Sequence, residues 1–321
     1  MIRKRLAILP MVAALAACAT PQGNGRPAGA ANARPAPVLL YSESTRPDDL
    51  GRIVVPVILN GEGPFFFMLD TGATRTVIAK QALDRLGLQA DPERQVLLRG
   101  LSGVKPIPTV LVRSMQAGSM QFNEVRMPVL DAPILEGVDG VIGNDTLGQH
   151  RVTADFAADQ ILIVDTQGAP AAKTHLVVPF TPLSRAPIMV DAIVGGVRAR
   201  AIIDTGGADT LGNVALLRAL RRQVRSNGNY KLIAQIGITD ITDTTQQALL
   251  MSVKSLTVGP LEFANLRVSF GNYSIFDRWD ADDRPTVLIG MDTLGLLSGL
   301  VIDFQRKELH IPIATTAAAG S

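Results

Sequence analysis

Short apolar runs separated by glycine, proline and asparagine dominate the chain. In the first half the runs read RIVVPVILNG, PFFFMLD, QVLLRG, TVLVRSM, VRMPVL and ILIVD. Runs of this length, rich in β-branched and aromatic residues and bounded by turn-forming residues, are typical of β-strands. The pattern therefore predicts a mainly β fold.

Two segments follow the helical period instead. The first, VIAKQALDRLGL, places four apolar residues on one face: Ile78, Ala82, Leu83 and Leu86. Gly87 predicts its C-terminal end, because glycine adopts the left-handed conformation that ends many helices. The second helix is NVALLRALRRQV, in which Asn213 is the predicted N-cap.

The second half of the chain repeats the first. FMLDTGATRTVI (67–78) matches RAIIDTGGADTL (200–211), and GVIGNDTLG (140–148) matches VLIGMDTLG (287–295). The offset is 134 residues at Asp70 and Asp204 (204 − 70) and 147 at Gly143 and Gly290 (290 − 143). We interpret this as an internal duplication. The second copy has about 13 extra residues, which we expect in the polar segment 237–247.

These patterns divide the chain into six predicted segments. They are a signal peptide (1–17), a lipidated N-terminus with a disordered linker (18–47), lobe 1 (48–167), a linker (168–176), lobe 2 (177–314) and a tail (315–321).

In each copy of the repeated motif an aspartate follows an apolar run that predicts a buried strand, at Asp70 and again at Asp204. Burying a lone carboxylate is costly, so each group needs a partner, and the other can supply it. Two facing carboxylates share one proton: the ionised one can take a proton from water while the other hydrogen-bonds a carbonyl oxygen. A single aspartate at a strand end is often only a turn residue, but the matched pair favours a catalytic dyad.

The chain resembles the aspartic peptidases, as two retropepsin-like lobes in tandem over about residues 48–314. Each copy has Asp-Thr-Gly, a threonine six residues after the aspartate (Thr76 and Thr210) and a later apolar-apolar-glycine segment before a helix. The resemblance implies two similar acid-protease β-barrel lobes about a pseudo-twofold axis, each with one or two short helices. It also implies an aspartic endopeptidase that acts on a peptide or protein substrate without a cofactor or metal. Because one chain carries both lobes, we expect a monomer.

The resemblance also implies the site residues. Asp70 and Asp204 are the expected catalytic pair. The expected supporting residues are Thr71, Gly72, Thr205 and Gly206. Two flaps are expected over the cleft, with the residues Gly100, Leu101, Ser102, Gly103, Gly237, Ile238 and Thr239. Asp209 matches an acidic site of retroviral enzymes, where lobe 1 has Arg75.

Two alternatives remain open from the sequence. The fold could bind peptides of the cell envelope without cleaving them, or like lobes of two chains could pair to form the dyad. We interpret Asp145 and Asp292 as helix caps and Asp155 and Asp303 as hairpin or structural acids, none with a catalytic role.

The N-terminus predicts export. Basic residues at positions 3 to 5 precede an apolar stretch at 6–17 that is too short to span a bilayer. The sequence Leu15-Ala16-Ala17-Cys18 resembles a lipobox, which implies that Cys18 carries a lipid anchor in the membrane. Ala19 in the next position implies sorting to the outer membrane, facing the periplasm. The alternative is ordinary cleavage after Ala17, which would leave a free thiol.

Composition excludes several other classes. Cys18 is the only cysteine, so no disulfide can form within the chain. Without residues 1–17 the chain carries 28 basic and 29 acidic side chains, and this balance gives no reason to expect a nucleic-acid partner. The three histidines, His150, His175 and His310, lack metal-ligand spacing, and we interpret them as surface residues.

Overall fold

The computed structural model describes residues 38–44, 46–47, 52–101, 103–118, 120–148, 150–158, 160–165, 170–182, 188–223, 230–279 and 281–313. The predicted signal peptide, Cys18 and Ser102 lie outside the described residues. None of the helices in these ranges is long and apolar enough to cross a membrane.

Strands account for most of the first half, as its apolar runs predict. In chain order they are β1 (Val38–Ser44), β2 (Arg46–Pro47), β3 (Ile53–Leu59), β4 (Glu62–Leu69), β5 (Val77–Ala79), β6 (Asp91–Arg99), β7 (Val104–Ala117), β8 (Met120–Leu130), β9 (Gly140–Ile142), β10 (Arg151–Asp155) and β11 (Gln160–Asp165). Eight of them form one sheet in the order β2-β3-β4-β9-β5-β8-β7-β6, and β3 also pairs with β7. This extra pairing closes the sheet on itself, so the alternating apolar residues Val55, Val57 and Leu59 face a buried core.

The second half builds the same sheet. Its strands are β12 (His175–Pro179), β13 (Thr181–Pro182), β14 (Ile188–Val194), β15 (Val197–Ile203), β16 (Leu211–Gly212), β17 (Tyr230–Thr239), β18 (Thr245–Val258), β19 (Leu261–Phe270), β20 (Thr286–Ile289), β21 (Gly299–Asp303) and β22 (Glu308–Pro312). The order is β13-β14-β15-β20-β16-β19-β18-β17, with β14 also paired to β18. Strand for strand this repeats the first sheet, so the chain has two similar lobes, and the predicted fold class is confirmed.

A third sheet joins the two lobes. Its order is β1-β11-β10-β21-β22-β12, with the antiparallel pair β10 and β21 at the centre. Two strands on one side of that pair correspond to two on the other, which is the pattern that a pseudo-twofold axis produces. Across the central pair, the buried Asp303 carboxylate accepts hydrogen bonds from the Arg151 guanidinium at 2.6 and 3.0 Å. The interpretation of Asp303 as a structural acid is confirmed.

Four short helices complete the described fold: α1 (Lys80–Arg85), α2 (Asn144–Leu147), α3 (Val214–Gln223) and α4 (Met291–Leu294). Gly87 follows α1 with φ +62°, and the Leu88 N–H donates to the Leu83 carbonyl at 3.2 Å, so Gly87 ends the helix as predicted. Asn213 is the N-cap of α3, because its Oδ1 accepts a hydrogen bond from the Leu216 N–H at 2.8 Å.

Two expectations need correction: the boundaries of the predicted linkers, and the position of the extra residues in the second copy. The predicted disordered linker runs to residue 47, yet β1 and β2 lie at 38–44 and 46–47, and β12 begins inside the predicted linker 168–176. The extra residues of the second copy are not concentrated in segment 237–247. The offset rises from 134 at the aspartates to 140 at the ends of β8 and β19 (270 − 130), and to 147 at the ends of β9 and β20 (289 − 142). Much of the extra length therefore lies in segment 271–285, which forms a wall of lobe 2.

Candidate active site

The two repeated motifs meet at the centre of the molecule. Asp70 directly follows β4, and its N–H donates to the Ile142 carbonyl of β9 at 3.0 Å. Asp204 follows β15 in the same way, and its N–H donates to the Ile289 carbonyl of β20 at 3.1 Å. Because β4 and β15 run parallel to β9 and β20, each aspartate emerges at the end of a fully paired strand. The backbone of both residues is therefore fixed.

Two buried threonines lock the motifs together. The Thr71 N–H donates to Thr205 Oγ1 at 3.1 Å, and the Thr205 N–H donates to Thr71 Oγ1 at 3.2 Å. Each hydroxyl in turn donates to a carbonyl of the opposite lobe, at Ile203 and Leu69, both at 2.9 Å. The four bonds form a reciprocal set, so displacing one aspartate loop requires breaking bonds to the other lobe.

The two carboxyl groups line one cleft, each lies against the glycine of the opposite motif, and each shifts the pKa of the other. Asp70 Oδ1 also accepts the N–H groups of Gly72 and Ala73, at 2.7 and 2.9 Å. Asp204 Oδ1 accepts the N–H groups of Gly206 and Gly207, at 3.1 and 3.2 Å. The two sides of the pair therefore have the same hydrogen-bonding pattern.

Glycine is required where the loops cross. A Cβ at Gly72 would lie 2.7 Å from Asp204 Oδ1, and one at Gly206 would lie 2.5 Å from Asp70 Oδ2. Real Cβ atoms do not approach oxygen so closely. Each glycine therefore permits the opposite carboxyl group to reach its position.

The electrostatics of the pair are unequal. Burial raises the pKa of both carboxyl groups, and the charge of Asp70 holds the pKa of Asp204 well above its ordinary value. Backbone N–H groups lower both pKa values, whereas the interaction with Asp204 and the charge of Arg52 lower only the pKa of Asp70. The two acids therefore titrate as one pair, and the direction of the shifts favours the proton on Asp204.

Sequence reasoning missed two residues that support the lobe 1 loop. Arg52 is buried beneath the site, 1% exposed, and its Nη1 donates to the Ile134 carbonyl at 3.0 Å. The Asn144 side-chain amide donates to the Thr71 carbonyl at 2.8 Å. The sequence feature that could have indicated Arg52 is its position as a single charged residue directly before an apolar strand.

The interpretation of Asp145 and Asp292 as helix caps is wrong. The N-cap positions of α2 and α4 are Gly143 and Gly290, which have no side chain to cap with. The two carboxylates lie in the first helical turn and accept hydrogen bonds from the threonines that follow the motifs. Asp145 Oδ1 accepts from the Thr76 hydroxyl at 2.8 Å and the Thr76 N–H at 2.9 Å. The Thr210 hydroxyl donates to Asp292 at 2.6 Å.

Two hairpins reach over the aspartates from opposite lobes. The β6–β7 hairpin turns at 100–103, and the β17–β18 hairpin turns at 240–244. Their tips touch, because Lys105 Nζ donates to the Thr242 carbonyl and a Cβ at Gly103 would lie 3.1 Å from Thr242 Oγ1. The Leu101 carbonyl accepts the Ile275 N–H at 3.1 Å, so the first tip also rests on lobe 2.

A cleft of about 1720 Å³ lies between the hairpins and the aspartates. Of the predicted site residues, the following line it: Asp70, Gly72, Gly100, Leu101, Asp204, Gly206, Ile238 and Thr239. The two threonines of the interlock lie beneath the floor, and Gly103 and Gly237 do not line the cleft. Segment 271–285, which sequence reasoning did not place at the site, adds Ser274, Ile275, Asp277 and Trp279.

One of the three histidines does not lie at the surface as predicted. His310 is buried, 2% exposed, and its Nε2 lies 3.0 Å from Glu308 Oε2 in the joining sheet. It does not line the cleft, and its strand β22 belongs to neither lobe sheet. Within the described ranges no group of three histidine, cysteine or acidic side chains could hold a metal ion.

Two equivalent β lobes that each supply one aspartate to a shared cleft define the two-lobed acid-protease class. A model of the aspartyl protease family matches the chain over residues 55–146 and 190–293, one match in each lobe. The matches cover more than half of the sequence and support the internal duplication, so the chain belongs to the aspartyl protease family. No curated protein matches the chain.

Proposed function

We propose that the chain is an aspartic endopeptidase in which Asp70 and Asp204 activate a water molecule for peptide-bond hydrolysis. The observation that carries the proposal is the pair of neighbouring carboxyl groups at the floor of a cleft, with a matching set of N–H donors on each side. A structural ion pair would bring opposite charges together. Two like-charged groups at one point are costly unless they share a proton, and such pairs are characteristic of acid–base sites.

The unequal electrostatics assign a role to each acid. Asp70, whose pKa is lowered by the charge of Arg52, is the base that takes a proton from the attacking water. Asp204 holds the shared proton and donates it to the oxygen of the scissile carbonyl. The water oxygen bonds to the carbonyl carbon and gives a tetrahedral diol. Asp70 then gives its proton to the leaving nitrogen as the C–N bond breaks, and one hydroxyl of the diol returns its proton to Asp204 as the new C=O bond forms.

The cleft suits a polypeptide more than a small molecule. Its volume of about 1720 Å³ exceeds the usual range for small-molecule pockets, about 300–1000 Å³. Apolar side chains from both lobes and both hairpins line it, including Leu101, Ile134, Ile238 and Trp279. We therefore propose a peptide or protein substrate that lies extended beneath the two hairpins.

We also propose a location from the leader sequence. The lipobox-like segment ending at Cys18 supports a lipid-anchored protein of the outer membrane that faces the periplasm. Labelling of the full chain with a fatty-acid probe, followed by membrane fractionation, tests this proposal. We expect the label and the membrane association to be lost in Cys18→Ser, and retention of both would contradict it.

Peptide cleavage by four full-length variants tests the catalytic proposal. Asp70→Asn and Asp204→Asn should each lose nearly as much activity as the double variant, because the two acids act as one unit. Asp191→Asn is the matched control, since this exposed aspartate lies on β14 and does not line the cleft. Cleavage at the wild-type rate by either single variant would contradict the proposal.

Two further outcomes identify the alternatives. Wild-type protein that binds a broad peptide library but cleaves none of it would favour a peptide-binding module of the cell envelope. Pairing of like lobes between two chains would form one dyad from two Asp70 residues and another from two Asp204 residues, so each single variant would keep activity from the other dyad and only the double variant would lose it. The intramolecular dyad predicts that each single variant loses activity.

A further inference from the structure

The two lobes place opposite charges at equivalent positions of the cleft. Arg75 is five residues after Asp70, and Asp209 is five residues after Asp204. Both side chains are exposed and both residues line the cleft. Neither forms an ion pair or a side-chain hydrogen bond with another described residue. Two opposite charges that do not neutralise each other are available to a ligand.

Both residues sit on rigid backbone. A Cβ at Gly143 would lie 2.7 Å from the Arg75 carbonyl oxygen, and one at Gly290 would lie 2.5 Å from the Asp209 carbonyl oxygen. Each loop therefore packs directly on the glycine of the neighbouring apolar-apolar-glycine segment. Further hydrogen bonds hold the preceding residues, because the Ala73 and Ala208 carbonyls accept N–H groups of α2 and α4 at 2.9 and 3.0 Å. The backbone of the two charged residues is thus fixed, at one position in each lobe.

Other charges of the cleft extend the same division. Apart from the dyad, the charged residues that line it are Arg75, Arg99, Asp145, Asp209, Asp240 and Asp277. The carboxylates of Asp145 and Asp240 accept hydrogen bonds from nearby threonines of their own loops or lobes. Both cations belong to first-half elements, where Asp145 is the one acid, and the other three acids belong to second-half elements. A bound peptide would therefore meet both cations in one half and most of the acids in the other.

We propose that Arg75 and Asp209 select substrates that carry opposite charges on the two sides of the scissile bond. The inference rests on the proposed function and specifies its substrate class. An extended peptide advances about 3.3 Å per residue, so a chain centred on the dyad passes one lobe with its N-terminal side and the other lobe with its C-terminal side. An acidic side chain pairs with Arg75 in one lobe, and a basic side chain pairs with Asp209 in the other.

Four matched peptides and three variants test the proposal. The peptides share one apolar scissile pair and carry Glu/Lys, Lys/Glu, Glu/Glu or Lys/Lys at matched positions on its two sides. For full-length wild type, kcat/KM for one of the oppositely charged peptides should exceed that for either like-charged peptide by about threefold to tenfold, as expected for partly exposed ion pairs.

The variants should change the preference in a defined way. Arg75→Asp should favour the Lys/Lys peptide, and Asp209→Arg should favour the Glu/Glu peptide. The double variant should exchange the order of Glu/Lys and Lys/Glu. A control pair, Arg198→Asp with Glu262→Arg, makes the same charge changes at exposed residues that do not line the cleft, and it should keep the wild-type order.

The binding of the same peptides with a reduced, uncleavable bond, measured by fluorescence anisotropy, separates the two proposals. If no peptide is cleaved, the proposed function fails, but exchange of the binding order in the double variant still supports charge selection. An order that is the same in wild type and double variant, or no binding and no cleavage of any peptide, overturns the inference.

Discussion

Thr71→Val removes a hydroxyl that takes part in two buried hydrogen bonds between the lobes. The Thr205 N–H loses its acceptor, and the Ile203 carbonyl loses a donor. An orphaned buried donor costs about 1–3 kcal/mol, and the net loss of the second bond adds about 1 kcal/mol. We therefore expect the free energy of unfolding to fall by about 2–4 kcal/mol, a large fraction of the usual total of about 5–15 kcal/mol.

Urea unfolding and peptide cleavage of the full-length variants measure the effect. Thr205→Val should behave like Thr71→Val, because the four bonds are reciprocal. Thr71→Ser keeps the hydroxyl and should cost less than about 1 kcal/mol. Both valine variants should also lose activity, since the threonines hold the loops that carry the aspartates.

Thr109→Val is a matched control elsewhere in lobe 1. Thr109 is buried, and its hydroxyl donates to the Arg94 carbonyl at 2.8 Å, away from the lobe interface. This variant should lose stability but keep most of its activity. The reasoning is refuted if Thr71→Val is as stable and active as Thr71→Ser, or if Thr109→Val loses as much activity as Thr71→Val.

Three other substitutions have defined outcomes. Asp204→Asn should abolish cleavage, yet in urea unfolding its stability relative to wild type should rise as the pH increases above about 4, the ordinary pKa of aspartate. The pKa of Asp204 is raised in the folded state, so wild type loses stability as the pH rises above the unfolded-state pKa, and the asparagine variant does not. Gly206→Ala should lower kcat at least about 100-fold in peptide cleavage, because its Cβ would displace Asp70. Asp303→Asn should cost about 3–5 kcal/mol in the same unfolding assay, because it removes the buried charge paired with Arg151.

Local patterns of the sequence predicted much of the fold. The short apolar runs became strands, and the end of α1 at Gly87 and the N-cap of α3 at Asn213 were both predicted. These features depend on interactions within a few residues of the chain. The repeat was equally informative, because equivalent sequences in two halves imply equivalent lobes.

The sequence patterns did not predict features formed by residues that are far apart in the chain. The joining sheet pairs β10 with β21, nearly 150 residues apart, and takes in a segment that composition assigned to a linker. Aspartate is a common helix-capping residue, yet Asp145 accepts its hydrogen bond from Thr76, 69 residues earlier. Arg52 also escaped prediction, because its significance depends on the site above it. Each of these contacts is set by how the strands cross, which periodicity does not encode.

Duplication within one chain lets the two halves of a symmetric site differ. The hydrogen bonds to the two carboxylates are alike, with Ala73 and Gly207 in equivalent donor positions. The charges around them are not alike. Arg52 lies directly before β3, whereas Pro187 precedes the equivalent strand β14 and brings no charge. A dimer of identical chains would carry both residues twice, and neither aspartate would be favoured as the base. In a single chain the proton can be assigned to one acid, and Arg75 and Asp209 can give the cleft a direction that an exact twofold axis forbids.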